Sequence, residues 1–181
     1  MDNPFKFFDY KFDHQKVKLI ALRSIPKISL AGEEIGPVEE NEYFEVKNWI
    51  ADELVKNGYA KIVAEEERLS LIDVQKAQVV EAIQSPRHLS ILPENFYPKL
   101  RKLLKELEEK SQKDPTKKLE FQKIVQLAMD IVTSRLNKIL ILASAREKDE
   151  NLLKNLTLEE RALYEKLYQT VNEWRNLILK Y

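Results

Sequence analysis

Apolar side chains change rhythm about a third of the way along the chain. Before Val63 they fall in short runs, several of them alternating. Beyond Arg68 they recur every third or fourth residue. Alternation is the mark of a half-buried strand, and the longer period is the mark of a helix face. Val17-Lys-Leu-Ile-Ala-Leu22 therefore reads as a strand, rich in β-formers and short. Ile28-Ser-Leu30 alternates and stops at Gly32, and Tyr59-Ala-Lys-Ile-Val63 alternates again. Between them, Lys47–Lys56 places Trp49, Ile50 and Leu54 on one side of a short helix, which Asn57-Gly58 closes as a left-handed cap would. The stretch Glu33–Glu45 carries Glu33, Glu34, Glu39, Glu40, Glu42 and Glu45 with no Lys or Arg, and reads as a solvated acidic loop. Phe5, Phe7, Phe8, Tyr10 and Phe12 crowd the first dozen residues.

After a composition change at Ala64–Arg68 the pattern is helical. Ser70 with Asp73 forms a helix-start box, followed by an apolar run from Leu71 to Ile83 that Ser85-Pro86 ends. Pro93 suits a first helical position, and Phe96, Tyr97, Leu100, Leu103, Leu104 and Leu107 then recur at helical spacing. Asp114-Pro115 opens another helix that runs without a breaker to about Arg146. Its apolar positions include Leu119, Ile124, Leu127, Ile131, Leu136, Ile139 and Leu142. At about 32 residues it would be about 48 Å long, more than a small bundle readily covers. Either part of it is buried against another chain, or it kinks near Thr133-Ser134 and folds back. Thr157-Leu-Glu-Glu160 is a capping box, opening a last helix through Tyr164, Tyr168 and Trp174. The expected fold is α+β: a small β-rich domain with one short helix at 1–63, then a larger all-α domain with one long helix at 64–181.

Charge and composition narrow the chemistry. Thirty basic and 30 acidic side chains balance, so the chain as a whole carries no polyanion-binding excess. The chain has no cysteine, which excludes disulfides, thiolate metal sites and thiol catalysis. No apolar run reaches the roughly 18 residues of a membrane span, and the N-terminus lacks a signal-peptide pattern. The expectation is a soluble, intracellular chain. His14 and His88 have no companion at helical metal-site spacing. Gly32 and Gly36 flank two glutamates with no following Lys-Ser/Thr, so they suit turns rather than a phosphate loop. No catalytic constellation, cofactor site or metal site is expected. Lys99, Arg101, Lys102, Lys105, Lys110, Lys113, Lys117, Lys118 and Lys123 make the region 99–123 basic, although Glu106, Glu108, Glu109 and Glu120 are interleaved. That region is either an ordinary salt-bridged helix surface or a contact for DNA phosphates.

The order of motifs resembles a known family. Ile25-Pro-x-Ile28-x-Leu30-x-Gly32-x-x-Ile-Gly36-Pro37, followed by a Val46-x-x-Trp49-x-Ala51-x-x-Leu54 helix, is similar to the N-terminal domain of GINS subunits of the second-and-third-subunit (Psf) type. Leu92-Pro-Glu-Asn-Phe-Tyr97, Arg135-x-x-Lys138 and Asn155-Leu-Thr-Leu-Glu-Glu160 resemble later family segments in the correct order. The compact size and short loops resemble archaeal members, which implies a cytoplasmic protein at the replication fork, or a nuclear one if the chain is eukaryotic. The resemblance implies a non-enzymatic scaffold of the replicative helicase assembly in DNA replication. The implied partners are a second GINS subunit with its helical domain first, in a 2:2 heterotetramer, the MCM helicase, a RecJ-like or Cdc-type factor, and primase or polymerase. Direct DNA contact would be weak or absent. It also implies a subunit interface on the helix from Pro93 and the long helix, made by Leu92, Phe96, Tyr97, Leu127, Ile131, Arg135, Lys138, Ile139 and Leu142. Arg135 and Lys138 would be buried polar contacts there, or else plain surface charge. Trp49 would anchor the short helix to its sheet.

Overall fold

A computed structural model describes residues 6–63 and 68–180. Two compact units emerge, Met1–Arg68 and Leu69–Tyr181. Phe5 and the composition change at 64–67 lie outside the described residues. The N-terminal unit runs α1 (Lys6–Asp13), β1 (Lys16–Ala21), β2 (Ile28–Leu30), β3 (Glu33–Ile35), β4 (Tyr43–Lys47), α2 (Asn48–Lys56) and β5 (Ala60–Ile62). The first strand is central in an antiparallel sheet of order β4-β1-β5. Its alternation is literal: Val17, Leu19 and Ala21 are buried, while Lys16 and Lys18 are exposed. Ile50, Ala51 and Leu54 of α2 cover the inner face, together with Val46 and Ala60 of the outer strands.

Two strands occupy the segment expected to be an acidic loop. The pair β2–β3 is a hairpin in which Leu30 faces Glu33 across Ala31-Gly32. Ala31 and Gly32 both have positive φ, 49° and 84°, as a type I′ turn requires. Alanine seldom adopts that conformation, so the turn carries none of the usual Asn-Gly or Asp-Gly signal. The glutamates are drawn to lysines instead of to water alone: Glu34 meets Lys27 at 3.0 Å and Glu33 meets Lys47 at 2.8 Å. Farther on, Val46 belongs to β4, so the short helix starts later than the family-like pattern implies. Trp49 is half-buried against the rim of the core, whereas Ile50 is fully inside. The cap at Gly58 (φ 70°) matches expectation. Gly58 N–H donates to Val55 O at 3.1 Å and Tyr59 N–H to Leu54 O at 2.9 Å, the paired bonds of a Schellman ending.

The C-terminal unit contains α3 (Leu71–Ile83), α4 (Phe96–Lys113), α5 (Thr116–Ala143), a one-turn α6 (Glu150–Leu153) and α7 (Leu158–Ile178). Both capping boxes are formed, at Ser70/Asp73 and Thr157/Glu160. Pro93 lies outside α4, which begins three residues later after Asn95 in the left-handed region. The long helix has 28 residues and does not break at Thr133-Ser134. At 1.5 Å per residue it is about 42 Å long. Helices α3 and α4 pack on it, and so does α7. One apolar cluster joins Val74, Phe96, Leu100 and Leu107 to Ile124, Ala128 and Ile131 of α5. A second joins Leu89, Leu153 and Tyr164 to Ile139, Leu142 and Ala143. Successive neighbours thus cover one side of α5 along most of its length.

Candidate subunit interface

Between those two apolar clusters, α5 carries Arg135 and Lys138. Both are buried, with buried acidic partners Glu81 on α3 and Glu160 on α7. The Arg135 guanidinium donates from Nη1 to Glu81 Oε2 and to Ser90 O, each at 2.9 Å. From Nη2 it donates to Glu160 Oε2 at 2.7 Å and Asn155 O at 2.9 Å, and Nε also donates to Glu160. Lys138 Nζ lies 2.6 Å from Glu81 Oε1 and donates to the Glu81 carbonyl at 2.9 Å. Ser90 gives both its hydroxyl (2.5 Å) and its amide (3.0 Å) to Glu81, and the Tyr97 hydroxyl donates to Glu160 at 2.5 Å. Two cations face two anions, so the buried cluster is formally neutral. Buried charge is tolerable only when paired and hydrogen-bonded in this way.

The environment tunes each group. Burial works against the Glu81 carboxylate, but donation from Lys138 and Ser90 outweighs it, so its pKa falls below the usual range. Burial likewise opposes the charge on Arg135, and the Glu160 and Glu81 carboxylates more than restore it. Burial beside the Glu160 carboxylate drives the Tyr97 hydroxyl well above its ordinary value, which keeps it a donor. Glu160 has a second task, because it closes the capping box with Thr157. The start of α7 is thereby tied to the middle of α5.

Within this chain, most of the expected interface residues pack against its own helices. Leu92, Phe96 and Ile131 lie in one apolar cluster, Ile139 and Leu142 in the other. Leu127 and Tyr97 are half-buried against the first of these, and Arg135 and Lys138 belong to the ion network. The physical reason is that helical period marks the most apolar stripe, and the chain spends that stripe on its own core. A second stripe lies about 100° around α5: Val125, Met129, Val132, Leu136 and Leu140, spaced by three or four residues. These side chains are 37% to 58% exposed. They run for about 22 Å of helix. Gln126 and Asp130, joined at 2.8 Å, mark the polar side. Exposed apolar residues also recur on α3 as Ile72, Val79 and Ile83, and at the end of α7 as Trp174, Leu177 and Ile178. Sequence reasoning named only Leu136 among the α5 stripe as a long-helix apolar position, because neighbouring apolar stripes look alike without tertiary contacts.

The remaining candidates are locally engaged. His14 Nδ1 lies 2.9 Å from Tyr10 O, and His88 Nδ1 lies 2.7 Å from Ser85 Oγ. The basic residues of 99–123 are distributed over α4 and α5, with Lys117 paired to Glu120 at 2.9 Å. Among the described residues no group of three or more His, Asp or Glu could hold a metal ion, and no helix is long and apolar enough to cross a membrane.

A comparison with curated proteins gives no match. A scan against family models matches residues 60–179 to Sld5, the GINS complex protein helical bundle domain. The matched segment contains every helix from α3 to α7 and all four ion-network charges. With a small β-containing unit ahead of that bundle, the chain belongs to the GINS family.

Proposed function

We propose that this chain is a non-enzymatic structural subunit of a GINS complex of the second-and-third-subunit type, scaffolding a replicative helicase assembly. The observation that carries the reading is the exposed apolar stripe on α5, Val125 to Leu140, running beside an already complete core. Interfaces of obligate assemblies bury such surface, while monomers seldom display it. In this reading α5 meets a partner subunit whose helical domain comes first, in a 2:2 assembly of archaeal form. The MCM helicase, a RecJ-like or Cdc-type factor, and primase or polymerase are then clients of the assembled complex. The interface residues are the exposed α5 positions, with the ion network holding that helix in place from behind.

Co-expression with a helical-domain-first subunit, followed by size-exclusion chromatography with light scattering, tests this. A defined hetero-oligomer is expected. Met129→Glu with Leu136→Glu should leave the thermal midpoint of the chain within about 3 °C, since exposed substitutions cost little, and should abolish assembly. A stable monomer with no affinity for the partner refutes the reading.

A further inference from the structure

The outer face of the three-stranded sheet has no part in the reading above. Alternation sends Lys16 and Lys18 of β1, Tyr43 of β4 and Lys61 of β5 to the side opposite α2, and all four are exposed. In the ladder, Ile20 sits between Tyr43 and Lys61, and Lys18 sits opposite Glu45. Leu22 N–H donates to Tyr59 O at 2.8 Å, which extends the same ladder and places Tyr59 beside Leu22. Two tyrosines, 57% and 40% exposed, thus flank the central strand from opposite edges. Two inter-strand spacings separate those edges by about 10 Å. The Lys18 ammonium lies 5.2 Å from the Tyr43 ring centroid, so cation and ring form one unit. Lys47, also on this face, is committed to Glu33. Among the described residues, Lys16, Lys18, Lys47 and Lys61 on this face thus outnumber Glu45 and the neighbouring Glu33.

We propose that this sheet face binds single-stranded nucleic acid, its bases stacking on Tyr43 and Tyr59 and its phosphates meeting Lys16, Lys18 and Lys61. Exposed aromatics set among cations are how open sheets hold unpaired bases without reading sequence. The chain's zero net charge hides the patch, because the positive excess is local. An acidic peptide could use the lysines but would draw little from the tyrosines. Strand addition would engage the backbone edges of β4 and β5 and not the tyrosines and lysines of this face. Three phosphate contacts give a salt slope of about −2, so affinity should fall about 20-fold between 50 and 200 mM salt.

The test is fluorescence anisotropy of the full chain with labelled oligothymidine and oligouridine of about 15 nucleotides. Binding at low salt with that slope is expected. Preference for either oligomer identifies DNA or RNA as the ligand, and equal binding identifies a sugar-indifferent site. Lys16→Gln, Lys18→Gln and Lys61→Gln together should weaken binding and flatten the slope. Tyr43→Ala with Tyr59→Ala should weaken it at least about tenfold at an unchanged slope. Tyr43→Phe with Tyr59→Phe should retain it, which separates lost stacking from lost folding. No binding at 50 mM salt, or a triple-lysine variant that binds like the parent, overturns the proposal. So does loss on Lys110→Gln, Lys113→Gln and Lys118→Gln instead, or polyglutamate binding of equal strength that ignores the tyrosines. Assembly with the partner subunit is measured separately, so failure here leaves that reading standing.

Discussion

Replacing Arg135 by Met removes the centre of the buried ion network while filling a similar volume. Glu81 keeps Lys138 and Ser90, and Glu160 keeps Tyr97 and the Thr157 amide. What remains is two carboxylates against one ammonium, all buried, so one negative charge is uncompensated. The carbonyls of Ser90 and Asn155 also lose their guanidinium donor. Breaking a buried pair by deleting one partner costs about 3–5 kcal/mol. That is a large fraction of the 5–15 kcal/mol that typically holds a domain folded. For a unit of this size the midpoint should drop by roughly 10–20 °C. Circular dichroism melts and urea titrations of the full chain at pH 7 would measure it. Lys138→Met should cost less, since Glu81 then retains Arg135 and both Ser90 donors. A double-mutant cycle between Arg135 and Glu160 should show coupling above about 1 kcal/mol. If Arg135→Met shifts stability by less than about 1 kcal/mol, the network does not hold the bundle together and its charges are bystanders.

Gly36→Ala should destabilise the N-terminal unit by more than about 1 kcal/mol. Its φ is +73° and a Cβ would lie 2.9 Å from Pro26 O and 3.0 Å from Ile25 O; a cooperative melt unchanged by the substitution would contradict this. Acid should loosen the helical unit through Glu81. Its folded pKa lies below its unfolded value, so its contribution is full above the unfolded value of about 4.3. That contribution disappears as pH falls through the folded value. Midpoints measured from pH 7 to pH 3 should therefore decline below about pH 5. Glu81→Gln should flatten part of that decline, and an identical profile in the variant would assign the acid sensitivity elsewhere. The α5 stripe variants and the sheet-face variants should separate cleanly: the first lose assembly and keep nucleic-acid binding, the second do the reverse.

The capping boxes at Ser70 and Thr157, the Asn57-Gly58 ending and the change of hydrophobic period are local. They depend on residues a few positions apart, so the linear order of residues specifies them. The helical unit, its long central helix and the small β-containing unit ahead of it were legible for that reason. The hairpin at Ala31-Gly32 was not, because an alanine holds the first left-handed position and gives no turn signal. The helix at Lys6–Asp13 also went unread, its crowded aromatics giving no clear period. Most consequentially, sequence marked Arg135 and Lys138 as notable without saying what they meet. Glu81 and Glu160 stand 54 and 25 residues from Arg135, and only the packing of α3 and α7 on α5 makes them partners. The same packing decides which of two adjacent apolar stripes is core and which stays at the surface. Periodicity finds both stripes, but burial is a property of neighbours, and those neighbours are distant in the chain.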